Sequence, residues 1–351
     1  MSFSNTIKRS WNENRLVSVL LELTYACNLD CSFCYNDLAL EGQELSLAQY
    51  RALLDELASL SVLNLTLSGG EPLAHPHFYE IGGYARKLGF VVRLKSNGHA
   101  LKESVARRIQ NEVDPFIVEV SLHGAIAATH DRQTRVVGSF DRLVSNVRAM
   151  KSLGMRLKAN SVLTLWNETE VEAMFALCDE LGVPLQIDAE VKPRDDGDAS
   201  PLEIAASASG LANYSKALAL QLKGDETVAS VVASTQREAR VGTEKHCGAG
   251  SNHLSVDPYG NVLPCVQWRA PVGNLHERGI TEIWAESITL RDVRQTTIAA
   301  RRMLEDLGEA SLVANFCPGA AHTHSGDPLA MYPAAQQRIE PGRARVRLPV
   351  L

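Results

Sequence analysis

The stretch that decides the fold is "ACNLDCSFCYND", residues 26–37, which follows the apolar run "LVSVLLELT" at 16–24. It places Cys27, Cys31 and Cys34 (the first cysteine set) just after a predicted β-strand, with gaps of three and then two residues. Structural zinc sites usually take four protein ligands, commonly as two pairs, and this run supplies one such pair. A three-thiolate set suits a cubic iron–sulfur cluster with one iron left for a non-protein ligand. The sequence therefore favours such a cluster over zinc.

Further short β-rich runs follow the first one and alternate with amphipathic helical segments. Ser46 and Gln49 are spaced as a capping box at the start of one helix, and Ser139 is expected to open another that Gly154 ends. Regular alternation of this kind predicts parallel strands covered by helices. The five further predicted strands lie at residues 63–70, 90–98, 116–124, 157–165 and 184–191.

Polar and glycine residues gather where these predicted strands end. Parallel α/β folds carry their chemistry in the loops at the carboxyl ends of the strands, because those loops converge on one face. We therefore expect one site built from the first cysteine set and the later strand ends. Those later strand ends are "SGGEP" at 68–72, "SNG" at 96–98, "SLHG" at 121–124 and "NS" at 160–161.

The composition limits the class of protein. Apolar residues make up 45% and charged residues 22%, as in ordinary globular proteins. The net charge of -6 argues against nucleic-acid binding, which needs a basic surface. The polar first 15 residues do not form a secretory signal, and no apolar run reaches the roughly 18 residues that span a bilayer. We expect a cytoplasmic protein with no nucleic-acid or membrane partner.

The first cysteine set and the strand ends together resemble the radical S-adenosylmethionine (SAM) superfamily, whose signature is CxxxCx(aromatic)C. The resemblance covers about residues 16–190 and implies an α/β fold with a partial (β/α)6 TIM-type barrel. It implies a [4Fe-4S] cluster on the first cysteine set, with SAM at the open iron. SAM would be cleaved reductively to a 5'-deoxyadenosyl radical that abstracts a substrate hydrogen.

The same resemblance implies a set of cofactor-binding residues. Glu71 would hold the methionine amino group of SAM, and Arg132 would lie near its carboxylate. The "SNG" and "SLHG" loops would contact the ribose and the methionine moiety. The full set is Phe33, which fills the aromatic slot of the signature, with Ser68, Gly69, Gly70, Glu71, Pro72, Ser96, Asn97, Ser121, His123, Arg132, Asn160 and Ser161.

Cys247, Cys265 and Cys317 (the second cysteine set) lie among glycines, prolines and histidines. "DPYGNVLPC" at 257–265 predicts a β-hairpin that returns the chain to Cys265. This region resembles the SPASM and twitch extensions of radical SAM enzymes. A full SPASM domain uses seven cysteines for two clusters, so three cysteines imply one auxiliary [4Fe-4S] cluster. Three alternatives remain for its fourth iron: it is open, it binds water, or a distant group caps it, for which His246, His253, His322 and His324 are candidates by proximity.

Other reactive or aromatic residues have ordinary explanations. Cys178 lies on the apolar face of a predicted helix, where burial accounts for it. Asp188 and Glu190 close the sixth predicted strand, where capping, a salt bridge and proton transfer all remain open. Core packing is the favoured role for Trp166, Trp268 and Trp284, with a substrate channel as the alternative.

The predicted organisation has five parts. The barrel is followed by a bridge and a smaller C-terminal α+β domain of twitch or SPASM type, and the arginine-bearing C-terminus is expected to be a tail. The parts are an N-terminal extension at 1–15, a radical SAM partial barrel at 16–192, a linker and helical bridge at 193–246, an auxiliary-cluster domain at 247–330 and a tail at 331–351.

The resemblance implies an enzyme that oxidises or cross-links its substrate, because such extensions occur widely in enzymes that mature ribosomally made peptides. We expect a thioether, a carbon–carbon crosslink or a dehydrogenated side chain. The alternative is a dehydrogenase or rearrangement enzyme for a small molecule such as a sugar or cofactor precursor. The short segment before residue 16 favours that alternative, or else a separate peptide-presenting protein. A non-catalytic iron–sulfur scaffold would leave the SAM-type loops unexplained.

A flavodoxin or ferredoxin-type electron donor is also implied. The sequence names no catalytic residue, substrate, product or oligomeric state.

Overall fold

The computed structural model describes residues 3–37, 39–224, 243–307 and 316–339. The strands within these ranges are β1 (Ser18–Glu22), β2 (Asn64–Ser68), β3 (Val91–Ser96), β4 (Ile117–Ser121), β5 (Leu157–Val162), β6 (Leu185–Asp188), β7 (His253–Val256), β8 (Asn261–Leu263) and β9 (Gly273–Asn274). The helices are α1 (Phe3–Asn12), α2 (Leu47–Ser59), α3 (Phe78–Lys87), α4 (Glu103–Glu112), α5 (Ala127–Thr134), α6 (Ser139–Ser152), α7 (Val171–Glu180), α8 (Ala208–Gly224), α9 (Ile280–Glu286), α10 (Ile288–Asp306), α11 (Pro318–Ser325) and α12 (Pro333–Ile339). Short 3-10 helices lie at Pro72–Ala74 and Ser200–Ile204.

Six parallel strands form the sheet that the sequence predicted. They run in the order β6-β5-β4-β3-β2-β1, with helices in the connections. Apolar side chains of β1 to β5 are buried against helices α2, α3, α4 and α6 in one core. The expectation of an α/β fold with a parallel barrel sheet is confirmed, and the carboxyl ends of the strands face a common edge.

Helix starts follow the local chemistry of their caps. The capping box at α2 is present: Ser46 accepts from the backbone N–H of Gln49, whose side chain accepts from the backbone N–H of Ser46. Helix α6 begins at Ser139, as predicted, and Gly138 at φ 79° is its N-cap. Asp131 supplies the acceptor there, for the N–H groups of Gly138 (2.6 Å) and Phe140 (2.9 Å).

The C-terminal region extends the barrel sheet. Strand β7 pairs in parallel with the outer edge of β1, for example Leu20 opposite Ser255, and then forms an antiparallel hairpin with β8. The predicted hairpin is therefore present, with Gly260 at φ 79° in its turn. The sheet of this region is continuous with that of the barrel, a connection that the predicted division at residue 247 did not include.

Part of the predicted tail is ordered helix. Tyr332 and Ala335 are buried, and they pack with Phe316, Ala320 and the end of α10. Residues 340–351 of the predicted tail and 225–242 of the predicted bridge lie outside the described residues. Within the described ranges, none of the helices is both long and apolar enough to cross a membrane.

Candidate active site

The first cysteine set lies in the loop after β1 and lines a cavity of about 360 Å³ at the carboxyl edge of the sheet. Burial is the main cause that raises the pKa of each of its thiols above the ordinary value. Cys27 Sγ accepts from the backbone N–H of Leu29 (3.4 Å) and from Asn97 Nδ2 (3.7 Å). These thiols therefore carry protons until a metal displaces them, and binding of a metal cluster releases those protons.

The first cysteine set fits a cluster better than a single ion. Within the described part of the chain, no group of three His, Cys, Asp or Glu side chains converges closely enough to hold one metal ion. A zinc site needs its ligands at about 2.0 to 2.3 Å from one point. Three thiols on one cavity are one fewer than a structural zinc site takes, and they match a cubic cluster in which each thiolate binds a different iron.

Gly69 and Gly70, after β2, bring their backbone against the loop after β1. A Cβ at Gly69 would lie 2.4 Å from the carbonyl oxygen of Thr24, and Gly69 has φ 126°. A Cβ at Gly70 would lie 2.5 Å from the carbonyl oxygen of Tyr25 and 2.6 Å from that of Ala26. The chain thus needs glycine at both positions, because any side chain would push apart the two loops that form this side of the cavity.

Glu71 lies behind the cavity wall instead of lining the cavity. Its carboxylate is 2% exposed and accepts from the Ser96 hydroxyl (3.0 Å) and from the backbone N–H groups of Asn97 (2.8 Å) and Leu73 (3.3 Å). Burial raises the pKa of Glu71 to about 7, although these hydrogen bonds act to lower it. The contacts give Glu71 a role in holding the β2 and β3 loops together.

His123, after β4, is held from three directions. Its ring packs edge-on against Phe33 of the first cysteine loop, with ring centres 4.5 Å apart. Its backbone N–H donates to Nδ1 of His130 (3.1 Å), and its carbonyl accepts from Gln133 (2.6 Å) and Asn167 (3.1 Å). Burial lowers the pKa of both histidines, that of His130 to about 4, so both rings are neutral at physiological pH. The aromatic position of the signature is thereby fixed against β4.

Most residues predicted to bind SAM share the cavity. Arg132 does not line it: the side chain is exposed, and its guanidinium lies 4.1 Å from the ring centre of Trp166. Pro72 is also away from the cavity, buried as the first residue of a 3-10 helix. Those predicted residues that line the cavity are Phe33, Ser68, Gly69, Gly70, Ser96, Asn97, Ser121, His123, Asn160 and Ser161.

The structure brings the second cysteine set together. Cys317 and Cys247 both act electrostatically on Cys265, and burial, which is the largest cause, raises the pKa of Cys265. Cys317 is the N-cap of α11, and its sulfur accepts from the N–H of Ala320 (3.4 Å). Gly319 in α11 also packs against the backbone of Gln267, which places the start of α11 beside the loop that follows the β-hairpin, as a shared cluster requires.

The four candidate histidines contact other partners in the structure. His246 bonds to the carbonyl of Phe316 (2.7 Å), and His253 to the side chain of Asn252 (3.0 Å). His322 bonds to the carbonyl of Gly326 (3.1 Å), and His324 stacks on Tyr332. The fourth ligand of the auxiliary cluster stays unassigned. Cys178 is buried in α7, as its position in the pattern predicted.

Several cavity residues did not appear in the prediction. Lys192 follows β6, and its Nζ lies 3.6 Å from Asp188 Oδ2. Burial alone would lower the pKa of Lys192, but Asp188 and Glu190, and then Cys317 and Cys265, raise it. Gln267 stands two residues after Cys265, and this nearness to a predicted cluster ligand could have indicated a residue close to the site. The other lining residues that were missed include Asn36, Lys95, Glu119 and Gln186.

Comparison with known proteins identifies the family of the chain. The sequence profile of the Radical SAM superfamily matches residues 21–178, and that of the SPASM iron–sulfur cluster-binding domain matches residues 247–306. The chain belongs to the radical SAM superfamily of enzymes and carries a SPASM domain. The predicted cofactors are confirmed: SAM, a radical SAM cluster and an auxiliary iron–sulfur cluster.

Individual relatives share most of this architecture. Mycofactocin maturase MftC of Mycobacterium ulcerans is 30% identical over 285 residues, 78% of this chain and 76% of that protein. The AdoMet-dependent heme synthase of Methanosarcina barkeri is 27% identical over 336 residues, which cover 91% of this chain and 95% of that protein. PqqA peptide cyclase of Gluconobacter oxydans is 29% identical over 277 residues, 76% of each. The structure of Streptococcus suis SuiB bound to precursor peptide SuiA superposes with TM-score 0.65 at 13% identity, over 83% of this chain and 69% of that one.

Proposed function

We propose that this radical SAM enzyme oxidises or cross-links a ribosomally made peptide, forming a thioether, a carbon–carbon crosslink or a dehydrogenated side chain. One observation carries the proposal: a single cavity joins the first cysteine set to Lys192 and Gln267, which lie beside the second set. A substrate in this cavity would lie between the two cysteine sets. When bound, SAM and the clusters supply the one-electron chemistry that removes a hydrogen atom from the substrate.

The chain's own residues divide the cavity into two halves. The ends of β2 to β5 offer backbone groups, hydroxyls and amides for SAM, and the neutral ring of His123 fixes Phe33 at their centre. The half beyond β6 offers Lys192 and Gln267 to the substrate. The residues that line this cavity would exclude water and competing hydrogen donors.

Asn36 supports a peptide as the substrate. Its side chain is 3% exposed and lines the cavity, and its Oδ1 has no hydrogen-bond donor among the described residues. A buried amide oxygen needs such a donor, and a peptide backbone N–H would provide it. The relationship to PqqA peptide cyclase supports the same substrate class.

The second candidate is a small-molecule substrate of the tetrapyrrole kind. It is favoured by the match to the AdoMet-dependent heme synthase over 95% of that protein. The peptide is favoured by the buried Asn36 amide oxygen at the cavity, which a backbone N–H would satisfy.

Anaerobic reconstitution tests the enzyme and its cofactors. We expect about eight irons per chain, four for each cubic cluster, and 5'-deoxyadenosine when SAM and dithionite are added. Replacing the first cysteine set with alanine should abolish 5'-deoxyadenosine and leave the auxiliary iron. Cys178→Ala is the matched control, because Cys178 is buried in α7 away from both sets and its loss should leave the iron content unchanged. SAM that stays intact in the reduced wild-type enzyme would contradict the proposal.

Separate incubations with the two kinds of substrate distinguish the two candidate functions. The reduced enzyme is incubated with SAM and either a set of synthetic peptides, including the products of any short open reading frames beside its gene, or a porphyrin precursor of haem. Under the proposal a peptide loses two hydrogens for each 5'-deoxyadenosine formed. Consumption of the porphyrin precursor with no change in any peptide would establish the second candidate.

The remaining parts of the proposal concern partners and domain bounds. We propose a flavodoxin or ferredoxin as electron donor and a separate protein that presents the peptide. We also propose functional units at 16–192, 193–246 and 247–330, which the positions of the two family matches support. Purified flavodoxin with its reductase should replace dithionite in the cleavage assay.

A further inference from the structure

Arg269 joins the two cysteine regions through its guanidinium group. It stands four residues after Cys265 in the chain. Its Nη1 donates to Glu22 Oε2 (2.6 Å) and its Nη2 to Glu22 Oε1 (3.0 Å), while Nε lies 2.7 Å from Asp195 Oδ2. One side chain thus ties the end of β1 and the segment after β6 to the loop that carries Cys265.

The partners of Arg269 are themselves connected to the first cysteine set. Glu22 ends β1, five residues before Cys27, and also accepts from the Tyr25 hydroxyl (3.2 Å). The backbone N–H of Asp195 donates to the carbonyl of Tyr35 (2.8 Å), the residue that follows Cys34. The contacts of Arg269 therefore reach both ends of the first cysteine loop.

On its own side, the Arg269 segment carries more than Cys265. Gln267 lines the cavity, and Gly319 of α11 packs so closely on it that a Cβ there would lie 2.4 Å from the Gln267 carbonyl oxygen. Helix α11 begins directly after Cys317. A shift of Arg269 would consequently move Cys265, Cys317 and part of the cavity wall together.

The site is specific for arginine. The Glu22 side chain is fully buried, and those of Arg269 and Asp195 are 13% and 15% exposed. The Arg269 guanidinium hydrogen-bonds both oxygens of Glu22 through two nitrogens and pairs with Asp195 by charge alone, without a hydrogen bond from Nε, whereas a lysine ammonium is a point charge with no such fork. Lysine would keep the charge and lose the geometry.

We propose that Arg269 is a positioning residue that sets the distance between the radical SAM cluster and the auxiliary cluster, a role that rests on the two-cluster assignment of the proposed function. A defined distance keeps a substrate that is held near one cluster within reach of the other. Small misplacements of reacting groups in such sites lower the reaction rate strongly.

The test measures the distance between the two reduced clusters by pulsed electron paramagnetic resonance. Wild-type enzyme should give one narrow distance distribution, and Arg269→Gln and Arg269→Lys a broadened one. Glu22→Gln, which changes one partner at nearly constant volume, provides a second variant if the arginine variants fold poorly, and it should broaden the distribution less. An unchanged narrow distribution in all three variants would overturn the proposal.

Two controls separate positioning from general destabilisation. Arg148→Gln breaks an exposed ion pair with Glu180 at 3.0 Å, and Met150→Ala removes a fully buried side chain from the same helix. Neither variant should broaden the distribution, although Met150→Ala lowers the melting temperature. Broadening in Met150→Ala equal to that in Arg269→Gln would contradict a specific role.

A functional readout follows once a peptide substrate is in hand. The number of 5'-deoxyadenosine molecules formed per modified peptide should rise about tenfold or more in Arg269→Lys, following the cost of small misplacements. The distance measurement needs no peptide. If the Arg269 variants broaden the distance distribution while the wild-type enzyme modifies no peptide, the positioning role stands and the proposed function fails.

Discussion

At the scale of single residues, the glycines after β2 show why backbone space matters more than side-chain chemistry in part of this site. Gly70→Ala should abolish SAM cleavage, because its Cβ would meet carbonyl oxygens at 2.5 and 2.6 Å. Iron content, SAM binding by equilibrium dialysis and 5'-deoxyadenosine formation are the measurements. Gly154→Ala is the control: it meets open space but is strained at φ 73°, so it should lose stability and retain cleavage. Normal SAM binding by Gly70→Ala would disprove the steric argument.

Lys192 is expected to tune the auxiliary cluster. Its ammonium acts electrostatically on Cys265 and Cys317, and a nearby positive charge stabilises the more negative, reduced form of a cluster. Lys192→Met should therefore lower the midpoint potential of the auxiliary cluster, while Lys192→Arg should stay near the wild-type value. Redox titration followed by electron paramagnetic resonance measures both clusters in one sample. A larger shift at the radical SAM cluster than at the auxiliary cluster would argue against this placement of the charge.

The neutral His130 predicts a loss of stability in acid. Burial lowers the pKa of His130 from 6.5 to about 4, so the unfolded chain binds a proton more readily than the folded one. The contribution of His130 to the free energy of unfolding is fully present above pH 6.5 and is lost as the pH falls towards 4. The loss amounts to about 3 kcal/mol, because each unit of pKa shift corresponds to about 1.36 kcal/mol.

The measurement is the melting temperature of wild type and His130→Asn between pH 7 and pH 4. The asparagine oxygen Oδ1 takes the place of Nδ1 and can still accept from the backbone N–H of His123, so the folded contact is retained. The wild-type melting temperature should fall more steeply with acid than that of the variant. Parallel curves would show that His130 is not the group responsible.

At the scale of secondary-structure elements, the residues that cap the helices affect stability and not SAM cleavage. Ser46→Ala removes the side-chain half of the capping box on α2 and should cost about 1 kcal/mol. Ser59→Ala at the other end of α2, where the hydroxyl bonds only to the Asp55 carbonyl, should cost less. Denaturant unfolding gives both values, and both variants should cleave SAM at the wild-type rate. Equal costs would mean that the cap adds nothing to stability.

The strands of the barrel were predictable because each is a short apolar run with a polar or glycine residue at its end. The same rule found Ser121, His123 and Asn160 at the cavity. It did not single out Lys192, although that residue directly follows the sixth predicted strand at 184–191, and it could not find Gln267, whose place at the cavity depends on contacts distant in sequence. It also placed Glu71 in the cavity, whereas Ser96 and Asn97 bond its carboxylate behind the wall.

At the scale of the whole molecule, the pairing of β7 with β1 predicts a single unfolding unit. The C-terminal region shares the barrel sheet and the same core, so the two should unfold together. In a Trp11→Phe, Trp166→Phe variant, the remaining Trp268 and Trp284 report on the C-terminal region, and far-ultraviolet circular dichroism reports mainly on the barrel. The two denaturant midpoints should coincide, and a separate, earlier tryptophan transition would show independent units.

The order of synthesis gives this strand pairing a further meaning. Strand β1 is made long before its partner, because its outer edge pairs with His253–Val256, more than two hundred residues later in the sequence. Until those residues leave the ribosome, the edge of β1 exposes unpaired backbone groups of the kind that recruit other strands. Pairings between such distant residues also form slowly. The nascent chain therefore passes through a long interval in which its cysteine loop is already made but its sheet is open, and in the cell this interval is when chaperones and the iron–sulfur assembly machinery would meet it.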